Sequence, residues 1–279
     1  MKKISAAFDG LKFSEGTMQY AIKIAAESKA LLSGVFLDDF LYHSYNVFDM
    51  VGEQGISAGK LKKLNENDKE TRHQSAVHFE NSCVEAKVNY AIHHDKSFAM
   101  IELLKESVYS DLLIIGADET VSHFDDEQPT PFVKELLAET QCPVLVVPRK
   151  FKEIEKVLLL FDGKPSSVFA IKMFNYMMPW MRGLKTEVVS VTDPTDDEEL
   201  PDSVLIKEFL YCHYPEAKYT VLKGNAEEEI MTYIKRLPEN VLIVLGAYQR
   251  GTVSRWFKSS MADRLIREIG EPLFIAHNK

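Results

Sequence analysis

The sequence predicts an α/β protein of two similar domains, each an open five-stranded parallel sheet with helices on both faces. Two stretches begin alike, KKISAAFDG from Lys2 and EKVLLLFDG from Glu155, and two others share an apolar run, SDLLIIGAD and ENVLIVLGAY. Short apolar segments alternate with longer amphipathic ones, which is the pattern of parallel strands joined by helical crossovers. The runs DLLIIG and NVLIVLG are continuously apolar, as expected of strands covered on both faces.

The elements follow in order along each half. In the first half, the apolar segments predict strands at 3–8, 31–38, 88–94, 111–116 and 143–148. The amphipathic stretches between them predict helices near 15–29, 58–86, 97–109 and 131–140. The second half repeats the series, with strands predicted at 156–161, 186–192, 217–223, 240–246 and 272–277. Its helices are predicted near 166–181, 202–213, 225–237 and 254–269.

The spacing of the repeat predicts two domains, 1–150 and 151–279. Asp9 and Asp162 stand 153 residues apart, whereas Gly116 and Gly246 stand 130 apart. The first domain therefore carries an insertion of about that difference, which we place at about 39–87. Its aromatic part, 40–50, is either a lid or partner surface or a segment folded onto its own domain. The link between the domains is short and charged, so close packing of the two domains is expected.

Composition excludes several classes of function. The formal net charge is −9 over 279 residues, which disfavours nucleic acid as the main partner, because such binding depends on neutralising phosphates. No apolar run approaches the roughly 18 residues of a membrane span. Three widely spaced cysteines indicate reduced thiols and a cytoplasmic location. No Cys/His cluster has zinc spacing, and a strand would turn the adjacent His93 and His94 to opposite faces, so no metal is expected.

Ligands of an open parallel sheet bind beyond the carboxyl ends of the strands, where the strand order reverses. Asp9 and Asp162 follow the first strand of each half, and Gly116 and Gly246 end the fourth. A carboxylate there can accept hydrogen bonds from a base or ribose, and a glycine turn before a helix can offer N–H groups to phosphate. The structural alternatives are a turn or helix cap for each Asp and a crowded strand end for each Gly.

On these residues, together with the final strand QCPVLVVP at 141–148, the chain resembles the universal stress protein family in its tandem two-domain form. The resemblance covers essentially the whole chain, once per half. It implies Rossmann-like domains with strand order 3-2-1-4-5. Many family members bind ATP through a G-x-x-G-x9-G-(S/T) loop, whereas others lack the glycines and do not. The general role is stress tolerance, with no settled reaction.

In the second half the resemblance implies a nucleotide site with an altered loop. Gly246 matches the first glycine, Gln249 and Ser259 replace the second and third, and Ser260 keeps the hydroxyl position. Val191 matches the position whose backbone meets adenine. Within the loop, Gly251 is placed to supply flexibility and Arg250 to supply charge, and Arg255, Lys258 and Lys164 add further cations.

The first half departs further from the pattern and is expected to be a vestigial site. Asp9 and Gly116 remain, but the third-glycine position falls near Pro129 and the hydroxyl near Thr130. Five carboxylates crowd the loop where a triphosphate would lie: Asp118, Glu119, Asp125, Asp126 and Glu127. Like charges about 4 Å apart repel by roughly 1 kcal/mol even in water, so this loop is a poor phosphate site.

Three functions are compatible with these features. The first is a stress-response regulatory protein that binds a small ligand, ATP or AMP, in the second domain and contacts other proteins. The second is a nucleotide-independent interaction scaffold with vestigial crevices. The third, an enzyme such as a slow ATPase, has no Ser/His/Asp set, Walker lysine or paired catalytic carboxylates to support it. We also expect the final strands of the two halves to pair within the chain as a pseudo-dimer, which leaves a further homodimer open.

Overall fold

The computed structural model describes residues 1–37, 58–95, 98–120, 127–195, 199–246 and 259–277. The strands of the first half are β1 Lys3–Phe8, β2 Leu31–Leu37, β3 Tyr90–Asp95, β4 Leu112–Gly116 and β5 Val144–Val147. Its helices are α1 Glu15–Ser28, α2 Ala58–Glu85, α3 Ala99–Val108 and α4 Pro131–Glu139. Strands and helices alternate throughout, as the sequence pattern predicts.

The second half repeats this series. Its strands are β6 Lys156–Leu160, β7 Lys185–Thr192, β8 Lys218–Lys223, β9 Val241–Gly246 and β10 Leu273–Ala276. Its helices are α5 Pro165–Met177, α6 Ser203–His213, α7 Ala226–Lys235 and α8 Ser259–Ile269. The predicted helix 166–181 ends at Met177 and continues as a 3-10 turn over Pro179–Gly183. The physical reason is Pro179, which has no N–H and keeps the residue before it out of the α conformation. The predicted helix 254–269 is described only from Ser259, because 254–258 lie outside the described residues.

All ten strands form one sheet, in the order β3-β2-β1-β4-β5-β10-β9-β6-β7-β8. Each half thus has the predicted order 3-2-1-4-5, and all pairs within a half are parallel. The halves join where β5 and β10 pair antiparallel, with Leu145 opposite Phe274. The prediction that the final strands pair within the chain is confirmed. The pairing also covers two strand edges that would otherwise be open to association.

The core consists of one apolar layer on each face of the sheet. In β1, Ala6 and Phe8 belong to one layer and Ala7 to the other, because successive strand residues point to opposite faces. The helices α1, α2, α5 and α6 contribute buried residues to the first layer, and α3, α4, α7 and α8 contribute to the second. This two-sided cover explains why the central strands are continuously apolar.

A long helix lies within the segment where the insertion is predicted, and the insertion itself stays a prediction. α2 has 28 residues, whereas its counterpart α6 has 11. α2 packs through Phe79, whose ring atom Cε1 would lie 2.7 Å from a Cβ added to Gly34 of β2. The aromatic stretch 40–50 lies outside the described residues, so its role stays a prediction. The domain boundary at 150 also stays a prediction.

The link between β5 and β6 is held against both halves. The Lys152 N–H donates to the Tyr20 hydroxyl of α1 at 3.1 Å, and the Lys152 ammonium pairs with Glu271 just before β10. The Phe151 ring packs against the Tyr20 ring with centroids 4.7 Å apart. Residues more than a hundred positions apart are therefore in contact through this short segment.

Candidate functional site

Each half has a cavity at the carboxyl ends of its strands, as expected where the strand order reverses. The cavity of the first half has a volume of about 580 Å³ and is bordered by Asp9, Asp118 and Glu119. The cavity of the second half has a volume of about 650 Å³ and is bordered by Asp162, Lys164 and Val191. Volumes of this size are typical of small-molecule sites.

In the first cavity, Asp9 is buried in a carboxyl cluster. Its side chain is 1% exposed, and its Oδ1 accepts hydrogen bonds from the N–H groups of Leu11 and Lys12 at 2.8 and 3.3 Å. Glu119 is 5% exposed. Burial first, and then the negative charges of Asp9 and Asp118, raise the pKa of Glu119 well above its ordinary value. The charges of Asp9 and Asp118 thus disfavour an anionic ligand in this cavity even when Glu119 is protonated.

The hydroxyl position of the first half is used by the fold. Thr130 is fully buried, and its Oγ1 donates to the Glu119 carbonyl and accepts from the Val133 N–H at 3.2 Å. It therefore caps α4 and ties the Glu119 turn to that helix. Arg149 pairs with Asp118 at the cavity rim. These contacts support the expectation that the first site is vestigial.

In the second cavity, Asp162 is only partly buried and organises the turn before α5. Its Oδ1 accepts from the Ser167 hydroxyl at 2.7 Å and from the Lys164 N–H at 3.1 Å. The same hydroxyl lies 2.9 Å from the Lys164 carbonyl. The structure thus bears out the turn-forming role for Asp162. Because Asp162 is only partly buried, part of its side chain remains at the cavity surface.

Val191 borders this cavity near the end of β7. The Phe161 N–H donates to the Val189 carbonyl at 2.9 Å, and this is the last bond between β6 and β7 in the described residues. Alternate residues of a strand direct their N–H and C=O groups to opposite sides, so Val191 faces the same side as Val189, beyond the end of β6.

Gly246 ends β9 at a position where no side chain fits. An added Cβ would lie 2.3 Å from the Ser166 carbonyl oxygen and 2.8 Å from the Ser167 nitrogen. The first turn of α5 therefore packs directly on the backbone of β9. This close approach explains Gly246 without a ligand, and it is the crowded strand end given above as the structural alternative for this glycine.

The other predicted residues lie at or beyond the edge of the described chain. Ser259 and Ser260 begin α8, so the hydroxyl position of the loop falls at a helix N-terminus, where N–H groups point outward and favour anions. Gln249, Arg250 and Gly251 lie outside the described residues.

One wall of the second cavity was missed by sequence reasoning. Gly224, Asn225 and Ala226 border it at the start of α7. The Asn225 side chain accepts from the N–H groups of Glu227 and Glu228 at 3.1 and 3.2 Å. The sequence carries a signal for this helix start, because Asn225 and Ala226 are followed by three glutamates.

The remaining sequence predictions concern the histidine pair, metal binding and membrane insertion. His93 contacts Glu106 of α3 at 2.6 Å whereas His94 stacks on Phe36, so the two imidazoles face opposite sides of the sheet as predicted. No group of three or more His, Cys, Asp or Glu side chains within the described ranges could hold a metal ion. Among the helices described, none combines the length and apolarity that crossing a bilayer requires.

Comparisons with known proteins identify the fold. No protein-family model and no curated protein matches the chain. Among solved structures, the universal stress protein from Archaeoglobus fulgidus DSM 4304 superposes with a TM-score of 0.71 at 13% identity, covering 99% of this chain and 98% of that one. The chain has the universal stress protein fold in its tandem two-domain form.

Two further structures with this fold come from Pseudomonas aeruginosa. A functionally unknown protein of strain PAO1 superposes with a TM-score of 0.59 at 12% identity, covering 99% of this chain and 92% of that one. A protein of strain UCBPP-PA14, provisionally assigned as a universal stress protein, has a TM-score of 0.58 at 14% identity, with 99% and 93% covered. The universal stress protein fold thus matches over essentially the full length of this chain.

Proposed function

We propose that the protein is a universal stress protein that binds an adenine nucleotide, ATP or AMP, in its second cavity and thereby regulates contacts with other proteins. The observation that carries the proposal is the difference between the two cavities. In the first, the strand-end Asp9 is buried beside Glu119 and the loop hydroxyl of Thr130 caps a helix. In the second, Asp162 is only partly buried and borders the cavity together with the cation Lys164.

The residues of the second cavity have distinct roles in this proposal. The backbone of Val191 meets the base, and Asp162 accepts from the base or ribose. The N-terminus of α8, at Ser259 and Ser260, receives phosphate. The intervening sequence 246–260 contains Arg250, Arg255 and Lys258 and no acid, so its charge favours a phosphate. Catalysis is not part of the proposal, and the cytoplasm is the expected location.

The test is a calorimetric titration of ATP and AMP into three variants. We expect Asp162→Ala and Ser260→Ala each to weaken binding, and Asp9→Ala to leave it unchanged. Losing one hydrogen bond to a charged group costs about 1.5–3 kcal/mol, so the expected loss is roughly tenfold or more. Equal losses in Asp9→Ala and Asp162→Ala would contradict the asymmetry.

A nucleotide-independent scaffold is the second candidate, and an exposed apolar surface on α6 favours it. Val204, Leu205 and Tyr211 are 75%, 68% and 75% exposed. Large exposed apolar groups on one helix are typical of interaction surfaces. Denaturing protein purified without added nucleotide distinguishes the two candidates, because a bound adenine nucleotide would be released and detected by its absorbance. An absence of both release and binding on titration supports the scaffold.

A further inference from the structure

A third cavity lies between the two halves, apart from both strand-end cavities. Its volume is about 490 Å³, and it is bordered by α1, the link between the halves and the 3-10 turn before β7. It shares no bordering residue with either strand-end cavity. All of its bordering residues are within the described chain. Its apolar border includes Tyr20, Ile24, Phe151, Ile154, Trp180 and Leu184.

The body of this interdomain cavity is apolar and aromatic. Ile24 is 2% exposed and Met181 is 7% exposed, so the floor belongs to the core. Phe151, Ile154 and Trp180 are only partly buried, although each packs against the core. Partly buried aromatic groups around an open space offer apolar contact area to a guest.

The rim of the interdomain cavity is acidic. Glu27, Glu153 and Glu155 border it together with a single cation, Lys23. Lys23 pairs with Glu153, and the Lys23 ammonium lies 5.9 Å from the centroid of the Phe151 ring. The chain itself therefore places an ammonium group between a carboxylate and an aromatic face, which is a favourable environment for a cation.

The remaining rim carboxylates differ in their contacts. Glu155 accepts a hydrogen bond from the Asn240 N–H at 2.9 Å. Glu27 lies one helical turn after Lys23 on the same face of α1, and its carboxylate makes no hydrogen bond or ion pair with the described residues. After Lys23 and Glu153 are paired, the rim keeps negative charge on Glu27 and Glu155.

We propose that the interdomain cavity binds a small amphiphilic cation, an ammonium group attached to an apolar or aromatic body. The body lies among Phe151, Ile154 and Trp180, and the ammonium faces Glu27. The site is independent of the nucleotide site proposed above. A bound cation contacts α1 of the first half and the 3-10 turn of the second, so it stabilises the folded chain by mass action.

The test uses tryptophan fluorescence with three probes that share one body. The chain has two tryptophans, and in a Trp256→Phe variant the emission reports on Trp180 alone. We titrate 4-phenylbutylammonium, 4-phenylbutanoate and 4-phenylbutan-1-ol. The ammonium is expected to change Trp180 emission with saturation and to bind more tightly than the alcohol. The carboxylate is expected to bind least.

Two charge-removing variants complete the test. Glu27→Gln is expected to weaken ammonium binding about twofold to fivefold, the range of a solvent-exposed ion pair, and to leave the alcohol unaffected. Glu135→Gln is the matched control, because Glu135 is an exposed residue of α4 on the opposite face of the sheet. No response of Trp180 to the ammonium, equal binding of the ammonium and the alcohol, or equal losses in the two variants would each overturn the proposal.

Discussion

Two buried glutamates occupy opposite electrostatic environments. Burial raises the pKa of Glu187 in β7, but hydrogen bonds from Lys156, Thr220 and Tyr233 outweigh that effect, so its pKa is lowered. The Lys156 ammonium lies 2.6 Å from its Oε2 and the Tyr233 hydroxyl 2.5 Å from its Oε1. Glu119 has carboxylates as neighbours, so burial and repulsion act in the same direction on its pKa. Ionisation of Glu187 therefore stabilises the folded protein, whereas ionisation of Glu119 destabilises it.

Replacing Glu119 with glutamine should stabilise the protein as the pH rises. The pKa of Glu119 is raised in the folded state above its unfolded value of 4.5. Its contribution to stability is therefore fully present below pH 4.5 and is lost as the pH rises through the folded pKa. Glutamine resembles the protonated acid, so Glu119→Gln should match the parent at low pH and exceed it at high pH. Urea unfolding between pH 4 and 9 measures the difference.

Glu187→Gln is the matched comparison, and its effect on stability should have the opposite dependence on pH. The lowered pKa of Glu187 contributes stability above its unfolded value of 4.5, which is lost as the pH falls through the folded pKa. We expect this variant to lose about 3 kcal/mol at neutral pH, because Lys156 is left without its charge partner, and to approach the parent at low pH. Parallel pH profiles for the two variants would contradict both assignments.

In the proposed nucleotide loop, Gln249 and Ser259 replace the second and third glycines of the G-x-x-G-x9-G-(S/T) pattern. If these side chains block the phosphate position, then Gln249→Gly combined with Ser259→Gly should raise ATP affinity. Relief of 1.4 kcal/mol is a tenfold change, which a titration detects readily. Glycine costs about 0.5–1 kcal/mol in an element interior, and Ser259 begins α8, so some loss of folding stability is expected. A folded double variant that binds ATP no better than the parent would exclude steric blockage.

At the scale of the elements, the approach of α5 to β9 decides how the second cavity is built. Gly246 lets the first turn of α5 lie against the end of β9, and that turn contains Ser167, which holds Asp162. In the first half the approach is looser. A Cβ on Gly116 would lie 3.1 and 3.2 Å from side-chain oxygens of Asp118 and Thr17, and its three nearest neighbouring atoms all belong to side chains.

Gly246→Ala should destabilise the protein by about 1–3 kcal/mol, the cost of overpacking, because its Cβ would meet the Ser166 backbone. Gly183→Ala serves as the control, since a Cβ there meets nothing within 4 Å and the residue has no positive φ. The control should change the free energy of unfolding by less than about 0.5 kcal/mol. Thermal or urea unfolding of both variants measures this, and equal effects would refute the packing role of Gly246.

At the scale of the whole molecule, the junction between β5 and β10 makes one sheet of two repeats. Leu145, Val146 and Phe274 are each at most 1% exposed at this junction. The contacts of Lys152 with Tyr20 and Glu271 reinforce it from the link. A further homodimer would have to use other surfaces, and sedimentation is the measurement that tests for it.

We expect the two halves to unfold in one cooperative transition, because the shared sheet buries the edge strand of each. Both tryptophans, Trp180 and Trp256, belong to the second half, whereas far-ultraviolet circular dichroism reports on the whole chain. Urea transitions followed by the two signals should therefore coincide. Separate midpoints would mean that the halves are stable independently and that the β5–β10 junction contributes little.

The sequence by itself determined the elements, their alternation and the repeat. Apolar periodicity and the residues at helix ends are local, so nearly every strand and helix lies within a few residues of its predicted place. The strand order and the pairing of final strands followed from resemblance to a family. The helix predicted over 166–181 was wrong only in its last turn, where Pro179 overrides the apolar pattern.

Only the tertiary structure decided what the candidate site residues contact. Thr130 could be placed in the loop from sequence, but its use as a cap of α4 and a tie to Glu119 could not. The burial of Glu119 beside Asp9 and the cavity between α1 and the 3-10 turn were equally hidden. The reason is physical: burial, electrostatic environment and cavity shape arise from contacts between distant residues, such as Tyr20 with Lys152, which no local pattern encodes.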